Sequence, residues 1–273
     1  MRRRVLPYLA ILASAPAALS GQETARAGAA PPAATAAEAV ALPSGDVFRP
    51  LIADPKQPQF IASALRTDSR LRDTWVGSTG FGENIGLVLW PGRRPGEGLQ
   101  IGLAGGVFAQ FDLEAESMDL LNADYVIGVP VTYRRGSVSG RARLYHQSSH
   151  LGDEFLLAEQ PERVNLSFEA LELLVAKEIG GWRTYLGGEW LFRREPSDLD
   201  DAVFHVGLEY RHRPTWVRLG GFGSGRWIAA LDAKSWNSAD PAWSLRTGLE
   251  FAPYGQFYNE EISAVGVGLF FSL

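Results

Sequence analysis

The chain reads as an all-β protein: a transmembrane, antiparallel up-and-down β-barrel of about 10–12 strands. Three observations predict this. Stretches of roughly ten residues alternate apolar and polar side chains, the pattern of strands with two different faces. The composition is rich in glycine and aromatics, with 30 Gly, 8 Trp, 8 Tyr and 14 Phe in 273 residues. An export signal precedes the strands, while no later apolar run approaches the ~20 residues that a membrane helix needs.

The signal is MRRRVLPYLAILASAPAALSG, residues 1–21. Three arginines, an apolar run and then small residues around Ser20 and Gly21 give the order of a cleavable secretory peptide. Its removal takes three positive charges from a chain whose formal net charge is already −5, so nucleic acid is not an expected partner. There is no cysteine, so an oxidising compartment is permitted but disulfides are not used. Residues 22–47, rich in Ala, Pro and Gly, read as a flexible linker with little bulk to pack. The barrel is expected over 48–273, and residues 48–60, rich in proline, are expected to tuck into its periplasmic mouth.

Alternation places strands at 59–67, 84–90, 99–111, 124–134, 138–148, 165–178, 182–193, 202–211, 226–236, 243–251 and 262–273. In the strand from Val203, for example, Phe204, Val206, Leu208 and Tyr210 oppose His205, Glu209 and Arg211. The connections alternate tight (135–137, 179–181, 212–214) and long (112–123, 149–164, 194–201, 237–242). Barrels of this kind put short turns in the periplasm and long loops outside. Eleven strands is an odd count where bacterial barrels use even ones, so a further strand is expected within 214–225 or near 251–258. The expected lumen carries both signs of charge: Arg141, Arg143, Glu169, Arg183, Glu189, Glu209, Arg211, Arg246 and Glu250. Opposite charges in a narrow bore would pair and fill it, unlike a general porin with its wide pore and single-sign constriction.

Several segments, among them FRPLIADPKQPQF, FGENIGLVLWP, NADYVIGVPVTYRRG, LYHQSSHLGDEFLL and PYGQFY, resemble the DUF1207 family, a domain of unknown function ascribed to bacterial outer-membrane proteins. The resemblance extends from about Phe48 to the C-terminus. It implies a barrel in a Gram-negative outer membrane and implies no activity. The family's strand before PYGQFY has no counterpart here, where LEFAPYGQFY runs straight on.

One stretch carries chemistry. In LYHQSSHLGDEF, strand parity puts Leu144, His146 and Ser148 on one face, expected toward lipid, and Tyr145, Gln147 and Ser149 on the other. Same-face neighbours lie ~7 Å apart at Cα, close enough for an imidazole to activate a hydroxyl. The pair is similar to the His-x-Ser arrangement of outer-membrane phospholipase A and the lipid A deacylases, although Ser149-His150 stands where the phospholipase has Asn-Gly. Asn165 on the next strand is the obvious candidate third group, yet its parity puts it on the polar face with Ser167 and Glu169; Asp153 or Glu154 in the loop is the alternative, folding back. A bland reading makes His146, Ser148 and His150 a polar hem above the hydrocarbon. A metal reading joins the histidines to Asp153 and Glu154, with zinc or calcium as the ion. His205, in the expected lumen beside Glu209, reads as a satisfied interior group.

The expected function is therefore that of an outer-membrane barrel, structural or surface-exposed, with outer-membrane lipids as its partners. The alternative is a lipid-acyl esterase using Ser148 and His146, which needs no cofactor beyond possible calcium. The third is a narrow, substrate-specific channel.

Overall fold

The computed structural model describes residues 12–13, 38–51, 54, 56–69, 73–159, 165–211, 227–234 and 262–271. These form one 12-stranded antiparallel sheet. Its long strands in chain order are β3 (Phe60–Ser69), β4 (Thr74–Pro91), β5 (Gly98–Asp112), β6 (Leu120–Arg135), β7 (Val138–Leu151), β8 (Leu166–Ile179), β9 (Trp182–Glu195), β10 (Ala202–Arg211), β11 (Trp227–Lys234) and β12 (Ile262–Phe271). Two short ones precede them, β1 (Leu12–Ala13) and β2 (Val40–Ala41). From β3 to β11 each strand pairs with the next, an up-and-down meander. β12 pairs with β3, so the described path runs from β11 at one end to β12 at the other, with β1 beyond β11 and β2 on β4.

Hairpin chemistry sets the register. The β6–β7 and β8–β9 pairs close through two-residue turns, Arg135 facing Val138 and Ile179 facing Trp182. Gly136 and Gly180 take φ near +60° there, a conformation that side chains resist and glycine accepts. The opposite connections are longer. After β7 the chain forms α1 (Asp153–Glu159), where the sequence predicts only loop. Asp153 and Glu154 occupy its first turn, complementing the helix N-terminus, and Phe155 is buried beneath it. β4 also starts ten residues before the expected strand, because its glycine-rich first half masks the alternation.

Burial is inverted relative to an ordinary sheet. Along β6, Tyr125, Ile127, Val129, Val131 and Tyr133 are exposed, while Asn122, Asp124 and Thr132 are buried. Along β7, Ser139, Arg141, Arg143, Tyr145, Gln147 and Ser149 are buried in strict alternation. Trp182, Leu186 and Trp190 on β9, and Phe204 and Val206 on β10, point the other way, into the open.

The buried face is covered by described residues of the chain between 42 and 59. Val40–Ala41 pairs with β4 at Leu89 and Val88, beside the end of the sheet that carries the tight turns. The chain then runs across the buried face, sinking Val47, Phe48, Leu51, Asp54, Lys56, Gln57 and Gln59. Described residues of the expected linker, among them Val47, are buried here, and the proline-rich stretch contacts several strands of the face. Gln100 on β5 accepts from the Val47 amide at 3.0 Å and donates to the Gly45 carbonyl at 3.0 Å. Arg134 on β6 donates to the Val47 carbonyl at 2.7 Å, and Arg49 pairs with Glu178 on β8 at 2.8 Å. Lys56 pairs with buried Asp124 of β6 and sits over the Phe108 ring. Five successive strands, β5 to β9, therefore hold this one segment by polar contacts.

On β10, Gly207 faces Tyr185 of β9, whose buried ring lies across it; a Cβ there would come within 2.0 Å of the ring. Gly207→Ala should lower stability by ~1–3 kcal/mol, since the packed ring has to shift. Urea unfolding of the purified variant checks this; a stability equal to that of the parent chain would show that the ring is free to move.

Candidate functional site

Two groups of side chains carry chemistry, one on each face of the sheet. The buried group centres on Glu172 of β8, which is fully buried. Arg141 of β7 donates to it through Nε at 2.6 Å and Nη2 at 3.0 Å, and Arg143 through Nη2 at 2.8 Å. Arg141 also donates to Gln57 at 3.0 Å, while Arg183 reaches Glu209 at 3.3 Å and Tyr145 donates to Glu189. Phe48 is clasped between two cations, with the Arg141 and Arg183 guanidinium carbons 5.1 Å and 4.5 Å from its ring centre. Such pairing lets buried charges stay buried, as an unpaired one would cost several kcal/mol. Glu172, Glu189 and His205 also bring one potential metal-ligand atom each within 4.8 Å of one another. Guanidiniums hold Glu172 and a phenol holds Glu189, so a cation there would have to displace them. The cluster is a charge network in the first place.

Of the charges expected on the inner face, Arg141, Arg143, Arg183, Glu189 and Glu209 lie there. Glu169 does not. It is half-exposed on the opposite face, and Glu172 holds the inner position that Glu169 was expected to take. The reason is that β8 reads LSFEALELLVAKEI, apolar on both faces, so its alternation leaves parity open. The side chain of Arg211, and Arg246 and Glu250 altogether, lie outside the described residues, as do the expected strand at 243–251 and the segment 214–225.

The exposed group lies at the end of β7 nearest α1. His146 is 42% exposed and Ser148 is half-buried, alternating with buried Tyr145, Gln147 and Ser149. His146 pairs in register with Glu169 of β8, and its Nδ1 lies 3.4 Å from Glu169 Oε1. Ser148 pairs with Ser167. Asn165, the expected third group, is instead exposed and donates to Glu195 of β9 at 2.7 Å. His150 turns its ring edge to Tyr125, 5.7 Å away, and Asp153 and Glu154 are exposed at the start of α1. The expected metal set of two histidines and two acids is thereby spread over a strand end and a helix.

The β8–β9 ladder breaks at this point. Glu169 faces Arg193, yet the next residue, Ala170, faces Leu191, so Phe192 is an extra residue and both Phe192 and Arg193 are exposed. A β-bulge of this kind re-aims side chains and is common beside functional sites.

The two glutamates separate by experiment. Glu172→Gln should cost ~3–5 kcal/mol, because two buried guanidiniums lose their shared partner. Glu169→Gln, in an exposed pair, should cost less than ~1 kcal/mol. Urea unfolding of both variants checks the contrast, and equal losses would contradict the assignment of the two faces.

Among known proteins, no curated protein and no solved structure matches the chain. A family model described as "Protein of unknown function (DUF1207)" matches residues 11–252. With nearly the whole chain matched, including every described strand from β1 to β11, the chain belongs to the DUF1207 family.

Proposed function

We propose that this is an outer-membrane β-barrel whose lumen is sealed by its own N-terminal segment, a structural or surface-presenting protein rather than a conduit. One observation carries the reading: charged side chains are buried while Ile127, Val129, Leu144, Leu173, Val175, Leu186 and Phe204 are exposed. In water that arrangement would be unstable, whereas in a bilayer it is the arrangement of lowest free energy. Tyr125 and Tyr133 bracket the exposed apolar run of β6, as interfacial aromatics do. Strands of 14 to 18 residues, such as β7 and β4, exceed the ~9–11 residues that a tilted strand needs to cross. Closure is supported by the pairing of β12 with β3, which leaves only residues 235–261 between the two ends of the path.

On this reading the signal peptide is cleaved near Gly21 and takes β1 with it, so β1 is no part of the mature sheet; the tight turns face the periplasm, and α1 lies at the outer surface. The interior leaves little room for solute. Phe48, Leu51, Lys56 and Gln57 occupy it and their partners line it, which argues against the channel reading.

The protein should fractionate with outer membranes and change gel mobility on heating, as closed barrels do. Recovery in the soluble periplasmic fraction would overturn the proposal. In planar bilayers the full chain should pass little ionic current, and deletion of residues 43–57 should raise it. A large, steady conductance from the full chain would show that the segment does not seal the lumen.

A further inference from the structure

We infer that Ser148, His146 and Glu169 form a hydrolytic site for carboxylic esters of membrane lipids, on the outer face of the barrel proposed above. Each of the three roles has a placed residue. Ser148 supplies the nucleophile; no hydrogen bond engages its hydroxyl among the described residues. His146 lies two residues back on the same face, within side-chain reach. Glu169 lies directly across from His146 in the ladder, with its carboxylate 3.4 Å from Nδ1. A carboxylate there favours the proton on Nδ1, which leaves the Nε2 lone pair to accept the serine proton. The 3.4 Å contact is loose for a hydrogen bond, and catalytic contacts commonly tighten only when substrate is present.

The surroundings fit a lipid ester better than a soluble one. On the same face Ile127 lies beside His146, and below the trio Val129, Leu144, Leu171 and Leu173 continue a strip of aliphatic side chains, of which Leu144, at 54% exposure, directly precedes His146 in the alternation. An acyl chain lying along that strip would carry its ester up to the level of Ser148. The bulge at Glu169 turns Arg193 outward opposite the carboxylate, a cation at the height of lipid phosphates.

The reaction balances with water alone. Ser148 Oγ attacks the ester carbonyl as its proton passes to His146 Nε2. The tetrahedral intermediate collapses, the alcohol leaves with that proton, and the fatty acyl group remains on Ser148. Water, deprotonated by the same imidazole, attacks the acyl-serine, and Ser148 regains its proton as the fatty acid departs. Ser148 and His146 are the catalytic residues, and Glu169 acts through His146 as a positioning residue.

The test uses the full mature chain in detergent, with and without calcium, against mixed micelles of glycerophospholipid in one arm and lipopolysaccharide in the other. Fatty acid should be released in at least one arm, which identifies the lipid class. Ser148→Ala and His146→Ala should each lower the rate by ~10³-fold or more. A fluorophosphonate probe should label Ser148, and the label should persist in Ser149→Ala, whose hydroxyl faces the interior. Glu169→Ala should lower kcat by ~10²–10⁴-fold with KM little changed. Glu169→Gln should recover part of that loss, because its amide oxygen still accepts from Nδ1–H. Absence of both release and labelling, in protein that retains heat-modifiable mobility, would overturn the site and leave the barrel intact. A protein that shows no heat-modifiable mobility would instead remove the barrel on which the site depends.

Discussion

Glu172 accepts hydrogen bonds from two guanidiniums in a place that water does not reach, and the rest of the structure is arranged around that necessity. A carboxylate so placed has to be paired, and so do the arginines that pair with it. β7 supplies Arg141 and Arg143 on alternate positions of one face, which commits its intervening residues, Ala142 and Leu144, to the other. The same logic repeats on β9 and β10, where Arg183 and Glu209 meet inside and Leu186, Phe204 and Val206 are driven out. Residues 42–59 complete the arrangement. They bring backbone carbonyls, Gln57, Lys56 and the Phe48 ring to charges that strand-to-strand pairing alone would leave short of partners.

Glu169 and Glu172 stand three positions apart, and a strand turns that odd spacing into opposite environments. The inner carboxylate is fixed by three hydrogen bonds from two guanidiniums and serves the fold. The outer one has a single, loose contact to an imidazole and stands beside a break in the ladder. Stability and chemistry are thus divided between the two faces of one strand, and a change on the outer face leaves the inner network untouched.

Much of this was legible in the sequence, and the misses share one physical origin. Strong alternation in β6, β7 and β10 assigned those faces correctly, down to the outward placement of His146 and Ser148 and the inward placement of Arg141, Arg143 and His205. β8 is apolar on both faces, so nothing in the strand itself distinguishes its open side from the packed side of Leu166, Phe168 and Leu174, and the parity expected for Glu169 is the wrong one. The pairing of His146 with Glu169 depends on strand register, which a single chain does not display. The inner segment was hidden for a different reason. FRPLIADPKQPQF has no periodicity, and its burial comes from partners far away in the sequence, such as Asp124 for Lys56 and Arg183 for Pro50.

Those separations bear on the order in which the molecule can be assembled. The segment is made before its partners, which lie 68, 84 and 133 residues later for Lys56, Gln57 and Pro50. Contacts of such length close slowly, because chain entropy has to be lost before they form. A meander of hairpins, by contrast, zips from neighbour to neighbour. The segment lies along the buried face of that meander, so its own contacts wait on strands made well after it. The pairing of the first long strand, β3, with the last, β12, belongs to the same slow class of contact, so local zipping runs ahead of both.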